Sequence, residues 1–333
     1  MHYDVLYKLP NNGLTVAELF CGGGLMAAGL KTSGFNIVWA NDFDKNAVKA
    51  YRHNIGDHVV HGDITKIDPA DIPDVDVIAG GPPCQDYSTA GPNAGENGER
   101  GKLVFAYLEI IRKKMPKAFI FENVKGLVNK RHRHTFEKLI EEFNRIGYTV
   151  NWKIINAWDY GVAQTRERVF IVGIRKDLGA TYEFPEPLLG DYRTQTLRKV
   201  IGDLTELGDY IPNHDRYRKS VRSAKYRASN VKSEWDKPNK TIPAQCITHI
   251  HPDDTTTTYG EYPRRLTVRE CLRLQSVPDW YVIPDDIALS NQYKIVGNGV
   301  ASRVAWYLGR ALAEQLISRG CVDGDFVRIE TAS

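Results

Sequence analysis

The sequence lacks paired cysteines, a long apolar run and a strong net charge, and each absence excludes a class of protein. The five cysteines, at positions 21, 84, 246, 271 and 321, are odd in number and form no CxxC pair, which argues against a disulfide framework or a zinc ribbon. No apolar run is long enough to span a bilayer, and the first residues show no basic region followed by an apolar stretch. We therefore expect reduced thiols in a soluble, intracellular protein of the cytoplasm, with no membrane partner.

The composition is that of an ordinary globular protein, with 42% hydrophobic and 26% charged residues among 333. The net charge of +3 is too weak to indicate nucleic acid by itself. Between Asp215 and Lys240, however, nine basic residues accompany three acidic ones, with aromatic side chains among them. Such a segment is typical of a surface for a phosphate backbone, and it fits a merely solvated charged surface equally well.

Residues 14–174 alternate strand-like and helix-like patterns. Strands are predicted at 14–20, 36–40, 75–79, 118–121 and 168–174, and helices at 25–32, 46–53, 103–113 and 134–146. This alternation predicts an α/β fold with a doubly wound, mostly parallel sheet. From 182 to about 262, prolines interrupt polar sequence, so we predict a second, smaller and irregular domain at 185–262. Helices are predicted again at 266–275 and 301–318. We therefore assign residues 1–184 and 263–333 to the first domain and expect the last helix to pack against it.

A cysteine stands at the end of a predicted buried strand. Pro82-Pro83-Cys84-Gln85 follows the run 75–79 and the flexible pair Gly80-Gly81. At the carboxyl edge of an α/β sheet, where ligands bind, this cysteine would face a substrate as a nucleophile. The alternative is a buried cysteine that only fills space, which is the commoner situation for a cysteine.

A carboxyl group is predicted at the same edge. Glu122-Asn123 ends the next strand, and a right-handed crossover of adjacent parallel strands leaves Glu122 and Cys84 at one edge of the sheet. A thiolate beside a protonated carboxyl suits addition to an electron-poor ring. The thiolate needs a nearby cation, for which Arg166 and Arg168 are candidates. The local pattern around these arginines, taken alone, favours an alternating solvated strand.

A glycine-rich turn predicts a cofactor site. The run from Glu18 to Gly24 ends in three glycines after the first strand, and Asp42 lies at the end of the next. The GxGxxG pattern of dinucleotide enzymes is missing, which favours S-adenosylmethionine, a cofactor without phosphate, over a plain tight turn.

Two other features have a functional and an ordinary interpretation. The polar, glycine-rich run 86–100 predicts either a lid over the substrate or a plain connector. The histidine pairs His132 with His134 and His249 with His251 have no cysteine or carboxylate at ligand spacing, so we predict solvated surface there and no metal site.

Nine motifs in family order carry a resemblance. They are Glu18 to Gly24, Asn41-Asp42, Gly62-Asp63-Ile64, Pro82-Pro83-Cys84-Gln85, Arg100 to Leu103, Glu122-Asn123-Val124, Gln164 to Arg168, Arg264 to Cys271, and Gly297 to Val300. Together they resemble the DNA (cytosine-5)-methyltransferases of the bacterial restriction-modification type, over nearly the whole chain. The resemblance implies a Rossmann-like fold that binds S-adenosylmethionine and releases S-adenosylhomocysteine.

The resemblance also implies residue roles. Cys84 would attack C6 of a cytosine flipped out of the duplex, Glu122 would bond N3, and Arg168 would hold O2, with Arg166 nearby and Asn123 bracing the proline turn. The cofactor positions would be Phe20, Gly22, Gly24, Asp42, Phe43, Asp63, Ile64, Pro83, Leu103, Asn298 and Val300. The DNA contacts would be Gln85, Ser88, Arg100, Arg216, Arg218, Arg222, Lys225 and Arg227. The 185–262 domain would read the target in the major groove.

The expected partner is double-stranded DNA. We expect the protein to be a monomer without a metal ion, which either accompanies a cognate restriction endonuclease or acts alone.

Three positions depart from the family pattern: Leu25 replaces a usual glycine, Asp42 a commoner glutamate, and Gly299 a frequent serine or alanine. Residues 213–251 look most like members that methylate GGCC. The alternatives are a transfer RNA methyltransferase of the same family, whose Cys-Phe-Thr tripeptide is missing, and a silent regulator, which would have lost Cys84 or Glu122.

Overall fold

The computed structural model describes residues 3–83, 101–204, 206–208, 210–217, 219, 231–244, 249–255, 262–318 and 320. Its strands are β1 (Thr15–Leu19), β2 (Asn36–Asp42), β3 (Val59–His61), β4 (Val77–Gly80), β5 (Ala118–Val124), β6 (Tyr148–Asn156), β7 (Gln164–Thr165), β8 (Glu167–Arg175), β9 (Val231–Lys232), β10 (Asn239–Lys240) and β11 (His249–Ile250). Its helices are α1 (Leu25–Thr32), α2 (Lys45–Asn54), α3 (Gly101–Lys114), α4 (Arg133–Ile146), α5 (Leu197–Ile201), α6 (Val268–Leu274), α7 (Leu289–Asn298) and α8 (Ser302–Ser318).

Seven strands form one sheet in the order β3-β2-β1-β4-β5-β8-β6. Neighbours pair in parallel except around β8, which is antiparallel to both β5 and β6. The chain leaves β1 toward one edge through β2 and β3, then returns to β4 and continues toward the other edge. The order therefore reverses between β1 and β4, and the crevice at their carboxyl ends is where an open α/β sheet binds ligands.

The sheet is covered on both faces. Along β5, Ala118 and Ile120 face one hydrophobic cluster, and Phe119 and Phe121 face the other. Helices α1 and α8 supply the first cluster and pack closely, because a side-chain carbon at Gly29 would lie 2.1 Å from the Ser302 carbonyl oxygen. Burial on both faces explains why the central strands are continuous apolar runs, which the sequence pattern revealed.

The predicted α/β class and the doubly wound, mostly parallel sheet are confirmed. The helix predicted at 25–32 is α1, and α8 packs back on α1 as expected, with the Ser302 hydroxyl donating to the Leu25 carbonyl over 2.7 Å. The predictions missed α5 and the short strands, as well as two longer elements. Of these two, β6 carries half-exposed polar residues along its length, and α7 buries Gln292 beside its apolar side chains. β6 shows no clear apolar period.

Between 182 and 262 the described residues form only α5, three two-residue strands and turns. This agrees with the irregular pattern of the sequence, while the division into two domains stays a prediction. In the described ranges, no helix is long and apolar enough to cross a membrane. The same ranges contain no group of three or more His, Cys, Asp or Glu residues that could hold a metal ion.

The prediction of solvated surface for the histidine pairs is wrong for three of the four residues. His132, His249 and His251 are buried, with exposed fractions of 7%, 2% and 5%. Tertiary packing buries them: His249 lies in β11 with its Nδ1 3.2 Å from the Asn239 amide nitrogen, and His251 lies edge-on to Trp235. The lack of further metal ligands at suitable spacing, on which the prediction rested, does not determine which way each ring points.

We expect His249 to make the protein acid-sensitive. Burial, helped by Arg265 and Lys240, lowers the pKa of His249 to about 4. An unfolded histidine has a pKa near 6.5, so between about pH 6.5 and pH 4 the unfolded chain binds the proton more strongly and stability falls as pH falls. Relative to pH 7, wild type at pH 4.5 should lose about 2 kcal/mol through this group, a loss that His249→Asn should remove.

Chemical denaturation at several pH values measures this difference. Asparagine keeps an acceptor at the Nδ1 position, and His61→Asn, at an exposed histidine, is the matched control. Equal pH slopes for wild type and His249→Asn would show that the buried ring does not titrate with folding.

Candidate active site

The crevice at the β1–β4 reversal is lined by main chain that needs glycine. Gly80 pairs with Leu19 of β1 and with Phe121 of β5, and a side-chain carbon there would lie 2.4 Å from the Leu19 carbonyl oxygen. A side-chain carbon at Gly81 would lie 2.7 Å from Glu122 Oε2. The two glycines therefore let the turn that leads to Cys84 pass directly beside a carboxyl group.

Glu122 is the carboxyl group of this crevice. It lies in β5, and its side chain is only 11% exposed. Its Oε1 forms an ion pair with Arg168 Nε of β8 over 3.0 Å, and the Arg168 side chain is 17% exposed. Burial raises the pKa of Glu122, while Arg168 and Arg166 oppose the rise. A raised pKa favours the protonated form, which is able to donate to a ring nitrogen.

Arg166 is buried and holds main chain. The residue is 3% exposed, and its guanidinium donates to the carbonyl oxygens of Ile242, Gly297 and Gly299 over 3.3, 3.1 and 3.0 Å. Burial is the main cause that lowers its pKa, followed by Arg168, with Glu122 opposing. The alternating solvated strand that the local pattern favoured is wrong, since both arginines turn toward the protein.

Asn123 joins the end of β5 to the proline turn. Its Nδ2 lies 3.4 Å from the Pro82 carbonyl oxygen, and its Oδ1 accepts from the Val124 N–H over 2.9 Å. Asn123 is 1% exposed, so its amide has no competing water. This is the contact that its expected bracing role requires.

The turn after β1 has an unusual backbone. Phe20, Gly22 and Gly24 all have positive φ, of 55°, 54° and 84°. A positive φ is uncommon for phenylalanine and costs on the order of 1 kcal/mol, which the surrounding contacts must offset. In the part of the chain that the structure describes, nothing lies within 4 Å of a side-chain carbon placed at Gly22. The cradle is therefore open where a ligand would sit.

Asp42, at the end of β2, supports this turn. Its Oδ2 accepts from the Gly22 N–H and its Oδ1 from the Asp44 N–H, both over 2.8 Å. Burial raises the pKa of Asp42, and these two bonds oppose the rise. A carboxylate has about four acceptor sites, so two are left for hydroxyl groups of a ligand.

The other predicted cofactor positions differ in exposure. Phe43 is 76% exposed beside Asp42, whereas Ile64 and Val300 are 5% and 8% exposed. Two further positions, Pro83 and Asn298, are exposed, and two, Leu103 and Asp63, are half-buried. The Asp63 Oδ1 accepts from the Thr65 N–H over 3.0 Å. The segment around Asn298 lies against the glycine turn, because a side-chain carbon at Gly23 would lie 2.4 Å from Ile295 Cγ2.

Glu18 is a candidate that the sequence reasoning did not assign. It lies in β1 and is 1% exposed, and its Oε2 has no hydrogen-bond partner among the described residues. Burial, then the charge of Asp42, raises its pKa well above the usual range. A buried carboxyl oxygen without a partner is costly, and it indicates a missing donor. An acidic residue inside an apolar predicted strand was the available signal.

Two of the residues that depart from the family pattern, Leu25 and Gly299, lie next to each other. A side-chain carbon at Gly299 would lie 2.4 Å from Leu25 Cδ2 and 3.0 Å from Leu25 Cβ. Leu25 is 1% exposed, at the start of α1. The leucine fills the space that a side chain at 299 would use, so each departure compensates the other.

Several predicted residues lie outside the described part of the chain. They are Cys84, Gln85, Ser88, Arg100, Arg218, Arg222, Lys225 and Arg227, together with the predicted lid. Arg216 is described, and its Nε lies 3.5 Å from Asp215 Oδ2 with half of its side chain exposed. Within the basic segment, Trp235 packs under Arg198 and donates to Asp253, so this aromatic ring contacts the chain itself.

The sheet order, the glycine turn at the reversal and the carboxyl-lined crevice define an α/β enzyme of the Rossmann-like methyltransferase class. The chain belongs to the C-5 cytosine-specific DNA methylase family, whose sequence profile matches residues 14–314. This match confirms the family resemblance of the motifs, and with it the prediction that the chain is a DNA cytosine-5 methyltransferase.

Individual proteins agree with this assignment. The chain is 37% identical to the Type II methyltransferase M.MthTI of Methanothermobacter thermautotrophicus over 329 residues, which cover 91% of this chain and 98% of that protein. It is 35% identical to the Type II methyltransferase M.FnuDI of Fusobacterium nucleatum, with 92% and 96% covered. The solved structure of a Spodoptera frugiperda DNMT2 mutant superposes with a TM-score of 0.69 at 20% identity, over 90% of this chain and 99% of that one, a likeness of fold.

Proposed function

We propose that the chain flips a cytosine out of duplex DNA into the crevice and methylates it at C5, as a methyltransferase of the Type II restriction-modification kind. The observation that carries the proposal is the buried Glu122–Arg168 pair, 3.0 Å apart, beside the glycine-proline turn that leads to Cys84. A carboxyl with a raised pKa next to a guanidinium offers a donor for N3 and a donor for O2 of the same ring.

Cys84 is proposed as the nucleophile. Its thiolate forms a bond to C6, the C5–C6 double bond shifts to C4–C5, and the electron pair released at N3 takes the proton of Glu122. C5 becomes nucleophilic and accepts a methyl group. A water molecule then takes the C5 proton, and the electron pair of the C5–H bond forms the C5–C6 double bond as the C6–S bond breaks. The thiolate leaves, and N3 returns its proton to Glu122, which restores the aromatic ring. Asn123 bonds to the Pro82 carbonyl and so keeps the proline turn that precedes Cys84 against β5.

The described residues fit S-adenosylmethionine, which supplies an electrophilic methyl group when bound. The open positive-φ turn and the unpartnered Glu18 oxygen support this fit. The cradle would hold the amino-acid part, with Glu18 accepting from the ammonium group. Asp42 would accept from the ribose hydroxyls, and exposed Phe43 offers a ring face for the adenine. Asn298 and Val300 would close the other side.

Residues 185–262 are proposed as the target-recognition domain, which would read base edges in the major groove. The predicted run after Cys84 would close over the flipped base. A monomer suffices for both steps.

One experiment tests the proposed function. The chain is expressed in a host without DNA cytosine methylation, and bisulfite conversion maps 5-methylcytosine across the host DNA. We expect 5-methylcytosine at one short sequence, and only in cells that express the chain. GGCC is the sequence to inspect first. The Cys84→Ala variant, expressed to the same level, should leave the DNA unmodified. Methylation of transfer RNA with none of DNA would move the assignment to the RNA branch of the family.

The basic segment gives a prediction about salt. If Arg218 and Arg222 contact phosphates, their double replacement by glutamine should reduce the slope of log K against log salt concentration by about 2, because each contact contributes about 0.9. Binding of a fluorescent duplex at several salt concentrations measures the slope. The control is Lys113→Gln with Arg145→Gln, at the ends of α3 and α4 that point away from the crevice. An unchanged slope in the first double variant would remove these residues from the interface.

A further inference from the structure

Three buried polar side chains connect two segments that are expected to hold different ligands. Gln164 and Gln275 are 0% exposed and Arg166 is 3% exposed. On one side lies the strap, residues 239–244 of the proposed recognition domain. On the other lies the wall, residues 296–300, which contains the proposed cofactor contacts at Asn298 and Val300. We refer to the three side chains as the polar bridge.

The bridge holds the strap by both main-chain groups of Ile242. Gln164 Oε1 accepts from the Ile242 N–H over 2.9 Å, and Arg166 Nη1 donates to the Ile242 carbonyl oxygen over 3.3 Å. Parallel pairing of β10 with β7 places the strap beside Gln164, and the Thr241 hydroxyl donates to the Thr165 carbonyl over 3.2 Å. The strap is therefore fixed in register with β7, the strand that contains Gln164 and ends just before Arg166.

The polar bridge holds the wall through hydrogen bonds to main-chain carbonyl groups of the wall. Gln164 Nε2 donates to Gln275 Oε1 over 3.2 Å and to the Leu274 carbonyl over 3.0 Å. Gln275 Nε2 in turn donates to Val296 and Gly299 carbonyls, over 3.0 and 3.4 Å. Arg166 Nη2 reaches the same Gly299 carbonyl over 3.0 Å. The hydrogen bonds thus form a closed circuit from Ile242 through Gln164, Gln275, Gly299 and Arg166 back to Ile242.

Strap and wall also touch directly. A side-chain carbon at Gly297 would lie 2.4 Å from the Pro243 carbonyl oxygen and 2.6 Å from Ala244 Cα. Because the contact is backbone against backbone, no flexible side chain absorbs a relative movement. A shift of the strap must break bonds of the bridge or carry the wall with it, and a buried polar group left without a partner is unfavourable.

We propose that Gln164 and Gln275 are positioning residues that couple target binding to cofactor binding through the polar bridge. The inference rests on the proposed function, which assigns DNA to the domain of the strap and the cofactor to the wall. DNA that holds the strap in its bridged position also holds the wall in its cofactor-binding position, so each ligand tightens the other. Coupling between binding sites is reciprocal, so the two factors are equal.

The test measures the affinity of S-adenosylhomocysteine with and without DNA. The DNA is a short duplex that carries the site mapped by bisulfite conversion, and titration calorimetry gives the dissociation constants. In wild type the duplex should tighten cofactor binding by about tenfold, within the usual range of coupling factors. In Gln164→Met, which keeps the length of the side chain and removes its polar atoms, the factor should fall below about threefold.

The matched control is Gln292→Met. Gln292 is 2% exposed and donates to the Ile287 carbonyl over 2.9 Å, so the change has the same chemistry but touches neither strap nor bridge. It should keep the tenfold factor. Thr241→Val, at a half-buried site, removes one bond of the strap without opening the core and should lower the factor in part, which provides a second reading if Gln164→Met does not fold.

The outcomes separate two failures. A wild type that binds neither ligand contradicts the proposed function itself. A wild type that binds both ligands independently, or a folded Gln164→Met with the full coupling factor, overturns the coupling and leaves the proposed function standing. A loss of coupling in Gln292→Met equal to that in Gln164→Met would also overturn it, because general destabilisation would then be the cause.

Discussion

Replacing Cys84 with alanine is expected to lower methyl transfer by more than about 10⁴-fold, because the variant has no atom that forms the bond to C6. Without that bond, C5 of cytosine is too weak a nucleophile to take the methyl group. The affinity for duplex DNA should change by less than about threefold, since affinity comes mainly from phosphate and base-edge contacts. A large loss of turnover with DNA binding retained distinguishes a nucleophile from a cysteine that only fills space.

Transfer of a labelled methyl group to unmethylated duplex gives the rate, and fluorescence anisotropy gives the affinity. A duplex with fluorine at C5 of the target cytosine adds a direct test, because the adduct has no C5 proton to lose. Wild type should form a complex with this duplex that survives denaturation, and Cys84→Ala should not. Cys321→Ala is the control for the loss of a thiol. Appreciable turnover or a stable adduct in Cys84→Ala would refute the nucleophilic role.

The central sheet could be predicted because its strands are continuous apolar runs. Both faces of β4 and β5 are buried, so Val77 to Ala79 and Ala118 to Phe121 stand out without any knowledge of their partners. The same reasoning predicts that Glu122 reaches the carboxyl edge beside Gly81, since parallel neighbours joined by one helix share that edge. Edge strand β6 faces solvent in part, and its mixed pattern was not predictive.

The contact between Glu122 and Arg168 could not be predicted from the local pattern. It depends on the register of β5 against β8, in which Val124 lies opposite Arg168. Around Arg166 and Arg168 the charges alternate as they do on a solvated strand, and only the long-range packing of the wall against Arg166 buries it. Burial of a charged residue is decided by partners distant in sequence.

Leu25 and Gly299 make the same point for packing. Each is a departure from the family pattern when considered alone, and the sequence offers no reason to connect them. The structure places them in contact, so that the volume gained at one position is lost at the other. Motifs predict which segments meet in a site, whereas complementary volumes between those segments emerge only from the folded chain.

Glu122→Gln is expected to reduce turnover by about 10²–10⁴-fold, the usual contribution of a general acid. Glutamine keeps the size and polarity of the side chain, but its amide cannot give up a proton to N3 as charge develops there. Cofactor affinity should stay within about twofold, because Glu122 lies in β5 whereas the turn proposed to hold the cofactor follows β1. Glu167→Gln is the control, since Glu167 is a neighbouring carboxylate that is half-exposed and pairs with Lys125 over 3.0 Å.

The pH dependence of turnover tests whether the Glu122 proton matters. Burial raises the pKa of Glu122, so its proton is retained to a higher pH than on an exposed glutamate and is lost as pH rises through the raised pKa. Turnover at saturating substrates should therefore decline on the alkaline side in wild type and in Glu167→Gln, and this decline should be absent in Glu122→Gln. Equal losses of turnover and cofactor affinity in Glu122→Gln, with an unchanged pH profile, would instead show that the carboxyl group only supports the crevice. If Glu122 donates a proton during turnover, the rate must depend on pH around the pKa of Glu122.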